Sequence, residues 1–411
     1  MLAVTTLLLS ACSGDDGEAA TTTESNASAA VADVVDTTVE QAMAASKSTE
    51  AIVGVWMPDG TQYLETYGDN QKLKPDAPIR AGEATAPAMC AVAAQLAQAN
   101  QLDLDSNITD DLTGQVGIDD ITYRELCNGT SGLAGYKSYL EPLSNENPTR
   151  PWHPNELISQ GLVHTPLPGA GEDTYVSNTD ILLLTRALRV RTGKTTENLL
   201  ERYVFAPANM EHTEYPNSAE TAAPPGAMTA LTYPRSGGEP VCDVEPVVMR
   251  NVSPTLLSGA GATVTTTQDL HTFYTSLFAG RFGGKEFMDQ ITAEPNSLVN
   301  PKRDAQGEIT EPAPELQEGE AFHGYAWGME TLGGLWGRTG QLPGTMTASY
   351  IEPKTGLTIV VALNNTGGKS AIARHSAFAI AAGVAEEAGA ELQLNYDAEI
   401  ESMNKYTICA G

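Results

Sequence analysis

Strand-forming patterns lie near both ends of this chain with helix-forming patterns between them, and this separation constrains the fold more than any other feature. On the N-terminal side, apolar residues recur at helical spacing over residues 31–46. Residues 51–57 (AIVGVWM) then have the pattern of a strand, a turn follows at 58–60, and residues 61–68 return as a second strand. Because two strand-like stretches around a tight turn are typical of an antiparallel hairpin, we predict a helix followed by a β-hairpin.

The C-terminal side carries a second group of predicted strands. They cover residues 334–340, 345–352 and 357–365, with turns at 343–344 and 353–356, and a last helix is predicted over 370–388. Strands at the two ends of a chain bury their apolar faces most simply in one sheet. We therefore expect an α+β fold, an α/β sandwich in which both chain ends contribute strands to one antiparallel sheet.

The middle of the chain is predicted to be helical. Residues 86–100 are rich in Ala, Leu and Val, and residues 179–192 form an amphipathic run that ends at Gly193. One domain over 29–411 is expected, with a sheet part at about 29–78 and 260–411 and a helical part at about 79–259. Pro- and Gly-rich stretches at 210–250 and 294–320 are predicted surface loops.

The charge of the chain excludes several kinds of partner. Its 411 residues include 23 basic and 52 acidic side chains, a formal net charge of −29. Nucleic-acid-binding proteins concentrate Lys and Arg on one face, so no nucleic-acid partner is expected, and an anionic lipid surface is an equally poor partner. The six histidines show no HExxH spacing and no Cys/His cluster occurs, so neither a metal nor a cofactor is predicted.

The N-terminus resembles a bacterial lipoprotein signal. An uncharged apolar run ends in Leu9-Ser10-Ala11-Cys12, which matches a lipobox with Cys12 as the lipid-attachment residue. Residues 13–28 are polar and acidic, as in a flexible tether. We predict an extracytoplasmic protein held to the bacterial cell membrane only through this lipid. The alternative is an ordinary cleaved signal peptide and a secreted protein.

Export changes the interpretation of the remaining cysteines. With Cys12 assigned to the lipid, an even number of cysteines is left in an oxidising compartment, which favours disulfides. The sequence alone allows three pairings of the four, which are Cys90, Cys127, Cys242 and Cys409.

Seven stretches of the chain follow one another in the order and spacing of the motifs of a known family. They are IRAGEATA at 79–86, ITYRELCNGTSGL at 121–133, VSNT at 176–179, PANMEHT at 207–213, ATVTTTQDLHTF at 262–273, YAWGM at 325–329 and GRTGQLPGTMTASYIEPKTGLTIVVALNN at 337–365. They resemble the serine β-lactamase-like hydrolases, which include class C β-lactamases, D-alanyl-D-alanine carboxypeptidases of the penicillin-binding type and related esterases. The resemblance covers about residues 30–390 and implies the β-lactamase/penicillin-binding-protein fold.

The resemblance also identifies the positions at which the family carries its chemistry. These are a nucleophilic Ser, a Lys one turn later, a Tyr two residues before an Asn, and a K/H-T-G stretch at the sheet edge. Four of them are replaced here, by Glu83 for the Ser, Ala86 for the Lys, Val176 for the Tyr and Arg338 for the Lys or His. Three fit the family pattern: Asn178, Thr339 and Gly340.

These replacements argue against the family reaction. A carboxylate attacking an acyl carbon would give an anhydride, and no Lys at the matched position is present to take a proton. Tyr175 could serve as the missing Tyr only after a register shift. Thr85 is expected to point elsewhere, and the literal S-x-x-K at 402–405 lies after all the later motifs, which favours coincidence.

We therefore predict a non-catalytic protein that binds a cell-envelope ligand, such as a peptidoglycan stem peptide or a partner protein, in the former substrate cleft. The alternative is an active hydrolase of D-alanyl peptides, β-lactams or esters that works through other groups. If the fold is that of the family, Glu83 at a helix start should pair with Arg338 on the facing strand. The alternative is that the two charges lie apart and solvated.

The resemblance also implies a disulfide pairing. In the family, the helices that match Cys90 and Cys127 lie close together, and the end of the chain is free to fold back on the loop that holds Cys242. Cys90–Cys127 and Cys242–Cys409 are therefore the expected bridges. The alternative for Cys90 is a free, buried thiol on an Ala-rich helix.

Overall fold

The structure is a computed structural model, and it describes residues 25–164 and 166–409. The predicted lipid-attachment residue Cys12 and most of the predicted tether lie outside the described residues. The helices are α1 (Ala29–Ser46), α2 (Ala86–Gln98), α3 (Tyr123–Asn128), α4 (Lys137–Glu146), α5 (Pro154–Val163), α6 (Asn178–Thr192), α7 (Thr196–Leu200), α8 (Ala206–Ala208), α9 (Thr267–Phe278), α10 (Lys285–Ala293), α11 (Ala371–Ala388) and α12 (Tyr396–Asn404).

The strands fall into one large sheet and several short pairs. They are β1 (Glu50–Trp56), β2 (Gln62–Gly68), β3 (Ile79–Arg80), β4 (Leu231–Thr232), β5 (Arg235–Ser236), β6 (Glu239–Pro240), β7 (Val247–Val248), β8 (Val264–Thr265), β9 (Asn296–Ser297), β10 (Lys302–Arg303), β11 (Ile309–Glu311), β12 (His323–Ala326), β13 (Met329–Leu332), β14 (Leu335–Leu342), β15 (Thr345–Ile351) and β16 (Thr358–Leu363).

The large sheet confirms the predicted α+β fold. Its eight strands run in the order β2-β1-β16-β15-β14-β13-β12-β9, and all neighbours are antiparallel. β1 from the N-terminal hairpin pairs with β16 from the C-terminal one, with Ala51 opposite Leu363. Both ends of the chain therefore build one sheet.

Both faces of this sheet are covered because side chains alternate along each strand. Val53 and Val55 of β1 pack against α1 and α11 on one face. Ile52 and Trp56 of the same strand point to the other face and pack with Leu270 of α9. This alternation explains why β1 is buried along its whole length.

The layer on the first face contains one more helix than predicted. α11 ends at Gly389, which takes a left-handed conformation that favours glycine. The chain then returns as α12, whose Met403 packs into the same layer. The expectation that α11 is the last helix was wrong because the α12 stretch is mostly polar, with only a narrow apolar contact to the layer.

The helical part packs on the other face of the sheet. α2 is buried along most of its length because its small Ala residues let α3 and α6 approach closely. Helix α9, from the second sheet segment of the sequence, adds Phe273 and Leu277 to this core.

Both expected disulfides are confirmed. Cys90 on α2 is bonded to Cys127 on α3, with their Cα atoms 5.8 Å apart. Cys242 is bonded to Cys409 near the end of the chain, with a Cα separation of 5.3 Å. Disulfides of this kind are typical of proteins that fold outside the reducing cytoplasm.

The predicted loop at 210–250 contains two short strand pairs, β4 with β7 and β5 with β6. The second bridge joins this loop to the chain end through Cys242. Among the described residues, no helix combines the length and apolar character that crossing a membrane requires.

Candidate functional site

The candidate site begins at an open strand edge. β14 pairs with β15 from Trp336 to Leu342, whereas β13 covers only Leu335 to Gly337. The stretch from Arg338 to Leu342 therefore has no strand on its other side. This edge faces the 3₁₀ turn Gly82–Thr85, which follows β3 and leads into α2.

Glycines let the turn lie directly against β14. A Cβ atom on Gly340 would lie 2.1 Å from the carbonyl oxygen of Ala81 and 2.6 Å from the nitrogen of Glu83. Gly82 has a φ of +57°, and a Cβ there would lie 2.5 Å from the nitrogen of Gln341. Only glycine at 340 permits this approach, which brings Glu83 to the open edge.

Glu83 is 8% exposed, and each oxygen of its carboxylate accepts one hydrogen bond. One oxygen, Oε1, accepts from Nζ of Lys137 at 2.5 Å. The other, Oε2, accepts the backbone N–H of Gln341 at 2.7 Å. Burial favours the neutral acid, but Lys137 and the Gln341 N–H together hold the pKa of Glu83 below its usual value. Glu83 is therefore ionised at neutral pH.

Lys137, Glu83 and Gln341 form a group of three residues that are joined by hydrogen bonds. Besides its contact with Glu83, Nζ of Lys137 donates to the carbonyl oxygen of Gln341 at 2.7 Å. Both backbone polar groups of Gln341 at the open edge thus have partners within the molecule.

The sequence reasoning missed Lys137. A lysine is present in the cleft, but it comes from the start of α4, four residues beyond the matched ITYRELCNGTSGL stretch, and not from the helix of Glu83. Its position in the sequence carries no motif that would have indicated this role.

The expected pair between Glu83 and Arg338 was wrong. Within the described part of the chain, Arg338 makes no ion pair, and its guanidinium lies over the ring of Tyr325 at 5.4 Å from the ring centre. Its Nε is buried without a hydrogen-bond partner. The hydrogen-bond donors to Glu83 are Lys137 on one oxygen and the Gln341 N–H on the other, and the guanidinium of Arg338 is not among its partners.

Two of the other former catalytic positions line a large cavity beside this group. The cavity has a volume of about 1180 Å³ and is lined by Lys137 and Gln341 together with Val176 and Asn178. Val176 is 39% exposed and offers no hydroxyl where the family has its Tyr.

The neighbouring Tyr175 does not replace the missing Tyr. Its hydroxyl donates to the carbonyl oxygen of Pro168 at 2.7 Å and lies 3.3 Å from Asp173. Burial and the Asp173 carboxylate raise the pKa of Tyr175. The hydroxyl of Tyr175 therefore bonds within its own loop and does not take the place of the missing Tyr, as the register shift would require.

The remaining former positions point away from the cavity or are buried. Ala86 is buried at the first turn of α2. The Thr339 hydroxyl is 2.7 Å from the Tyr350 hydroxyl, on the face of the sheet that packs against α11.

Neither of the other serine or threonine candidates is placed for catalysis. Thr85 is buried and donates to the Gly82 carbonyl oxygen at 3.0 Å. Residues 402–405 lie at the end of α12, beyond the sheet from the cavity, and Met403 between them packs into the α1/α11 layer. This position favours the interpretation of the S-x-x-K match as a coincidence.

Solved structures of other proteins share the fold of this chain. A D-stereospecific amidohydrolase from Streptomyces sp. aligns with a TM-score of 0.68 at 21% identity, covering 83% of this chain and 95% of that chain. A D-amino acid amidase from Ochrobactrum anthropi SV3 aligns with a TM-score of 0.64 at 19% identity, covering 87% and 97%. At these identities the likeness shows the fold alone.

A third structure extends the fold to penicillin-binding proteins. The octameric penicillin-binding protein homologue from Pyrococcus abyssi has a TM-score of 0.66 at 15% identity, covering 88% of this chain and 79% of that one. A sequence model described as Beta-lactamase matches residues 35–382, from the first helix to the helix that packs on the sheet. The chain belongs to the Beta-lactamase family.

Proposed function

We propose that this chain is a non-catalytic member of the family that binds a cell-envelope ligand in its cleft. One observation carries the proposal: an ionised Glu83 stands at the nucleophile position and holds both Lys137 and the Gln341 N–H.

Acyl transfer needs a nucleophile with a proton acceptor beside it. The carboxylate of Glu83 would form an anhydride, and Lys137 is its ion-pair partner rather than a free base. Loss of the nucleophile in a serine hydrolase lowers the rate by a factor on the order of 10⁶.

The reaction also needs donors aimed at the developing oxyanion. The Gln341 N–H, the donor at the open strand edge, is bonded to Glu83 at 2.7 Å. The carbonyl oxygen of Gln341, which could accept a hydrogen bond from an extended ligand, accepts one from Lys137 instead. A ligand that reached the edge would have to displace both contacts.

The cavity in front of this group remains large and mixed in character. Tyr139, Val176 and Met249 give it apolar surface, and its charged lining includes Arg235 and Lys369 as well as Glu141 and Glu146. Such a lining suits a peptide whose free carboxylate faces the two cations and whose N–H groups face the two glutamates. One similar structure is named a D-stereospecific amidohydrolase and another a D-amino acid amidase, and a peptidoglycan stem peptide ending in D-alanine is an envelope ligand of matching stereochemistry. Export and a lipid on Cys12 would keep the cleft beside that polymer.

The test combines a reaction assay with a binding assay on the chain from residue 25 onward. We expect no labelling by a fluorescent penicillin and no turnover of a chromogenic β-lactam or ester panel. Calorimetry should detect binding of a pentapeptide ending in D-Ala-D-Ala and much weaker binding of the same peptide with L-Ala-L-Ala. Absence of binding to any stem peptide would refute the ligand.

Two valine variants localise the binding. Val176→Arg places a bulky charge in the cavity and should abolish peptide binding. Val190→Arg changes a more exposed valine on α6, outside the residues that line the cavity, and should leave binding unchanged.

An active hydrolase is the second candidate, because Ser138 and Ser370 line the same cavity beside Lys137 and Lys369. Turnover abolished by serine-directed inhibitors, and by Ser138→Ala or Ser370→Ala, would establish it in place of the binding function.

A further inference from the structure

A second cavity lies away from the cleft, between β3, β8 and the loop at 214–225. Its volume is about 390 Å³, and it shares no lining residue with the large cavity. Its walls are mostly apolar and come from Pro216, Pro224, Val252 and Leu342. Arg80, the last residue of β3, supplies the positive charge.

Arg80 is buried without an acidic partner. It is 9% exposed, and its side chain makes one hydrogen bond, from Nη2 to the carbonyl oxygen of Thr221 at 3.0 Å. Among the described residues, none accepts a hydrogen bond from its Nε or Nη1, and none forms an ion pair with it. Burial lowers the pKa of Arg80, with no neighbouring carboxylate to offset it.

An unpaired buried guanidinium is costly. Among the described residues, Arg338 is also buried without an ion pair, but its guanidinium lies over the Tyr325 ring and feels the charges of Glu83 and Glu330. The half-buried Lys137 is paired with Glu83, and Arg303 with Asp173. No carboxylate plays this part for Arg80. Proteins rarely keep a buried charge without a counter-ion, so a group like Arg80 facing a cavity indicates a missing anion.

Two acidic residues restrict the charges that a ligand of this cavity can carry. Glu214 and Glu220 line the same cavity, yet neither lies within ion-pair distance of Arg80. A simple anion would meet their repulsion, whereas a molecule with a carboxylate at one end of its polar group and an ammonium at the other would satisfy both charges.

We propose that this cavity is a second ligand site, which binds a free zwitterionic amino acid. Its carboxylate bonds Nε and Nη1 of Arg80, its ammonium faces Glu214 and Glu220, and its side chain lies on the proline and valine wall. The site is independent of the proposed function of the cleft.

Calorimetry with free amino acids, their amides and their N-acetyl forms tests the site. The free amino acid should bind, and both derivatives should bind at least about 10-fold more weakly, since each lacks one charge-assisted contact. Equal binding of the amide would overturn the role of Arg80, and equal binding of the N-acetyl form would overturn the zwitterion. No heat at millimolar ligand would also refute the proposal.

Variants place the binding in this cavity. Arg80→Met should abolish it, and the matched change Arg250→Met, at an exposed arginine outside the lining, should leave it intact. Because Arg80→Met could unfold the chain, Ala222→Trp serves as the second variant: it fills the mouth at an exposed position and should also abolish binding. Val176→Arg, which blocks the cleft, should not affect it. Binding that survives Ala222→Trp would overturn the assignment.

Discussion

Glu83 stands at the position that matches the nucleophilic serine of the family. Its ion pair with Lys137 and its bond from the Gln341 N–H join a turn, a helix start and a strand edge. The pair is mostly buried, so removal of one partner leaves the other as an uncompensated charge.

The first prediction follows for Glu83→Gln. The neutral amide leaves Lys137 without its counter-ion, so we expect a loss of about 3 kcal/mol in the free energy of unfolding at neutral pH, measured by urea denaturation. The pKa of Glu83 is lowered in the folded state. The loss of stability should therefore be largest above pH 4.5, the usual pKa of a glutamate, and should disappear as the pH falls through the pKa of Glu83 in the folded protein.

Glu311→Gln is the control for that measurement. Its pair with Lys302 is exposed, so the change should cost less than about 1 kcal/mol. If Glu83→Gln is as stable as Glu311→Gln, the pair has no structural role.

The second prediction concerns restoring the reaction. Glu83→Ser with Ala86→Lys returns the nucleophile and its base, but Val176 still replaces the Tyr and Lys137 loses its partner. We expect slow acylation by penicillin at best, detected as a mass increase of the intact protein. Equal acylation of the unchanged chain would contradict the non-catalytic function.

At the scale of helices and strands, the spacing of apolar residues predicted the longer elements, whose positions depend on that spacing. The two hairpins, α1, α2 and α6 all appear where the apolar spacing indicated them. The short strand pairs within 231–248 were missed because two-residue strands carry no period.

The group formed by Glu83, Lys137 and Gln341 could not be predicted from apolar spacing, for a different reason. Glu83 and Lys137 are 54 residues apart on separate elements, and the third member is a backbone N–H, which leaves no signature in the sequence. The family resemblance located position 83 but not the partner that Glu83 would find.

A third prediction belongs to the contact between β13 and α11. Glu330 on β13 is bonded to Arg374 on α11 at 2.8 Å and to His323 on β12 at 2.7 Å. Burial opposes its charge, but His323 and Arg374 lower the pKa of Glu330 to about 2. Glu330→Gln should cost on the order of 3 kcal/mol at neutral pH.

The pH dependence of that cost is the diagnostic result. Because the folded pKa is depressed, the difference between the two proteins should shrink as the pH falls from the usual 4.5 toward 2. Thermal unfolding of both proteins across this range measures it. Parallel curves for the two proteins would show that Glu330 is not held ionised.

For the whole molecule, the two disulfides act over different lengths of chain. Cys90–Cys127 closes 37 residues within the helical part, and Cys242–Cys409 closes 167 residues and holds one wall of the cleft to the chain end. The fourth prediction is that Cys242→Ala with Cys409→Ala costs about 2–4 kcal/mol of unfolding free energy.

The double variant Cys90→Ala with Cys127→Ala, which opens the shorter loop, is the comparison for this loss of stability. The loop-closure entropy of the longer loop is larger by about 1 kcal/mol, and limited proteolysis should cut within 233–250 only when the second bridge is removed. Cleavage at that loop in both variants equally would show that the bridge does not fix the wall.

The open edge of β14 has one more consequence, for contacts between molecules. An uncovered strand edge offers N–H and C=O groups to any extended chain, and sheets that expose one are prone to pair with neighbours. Glu83 and Lys137 occupy both groups of Gln341 from inside the molecule. We therefore expect the same two side chains, which stand at the nucleophile position, to withhold this stretch of β14 from pairing with an extended segment of another molecule.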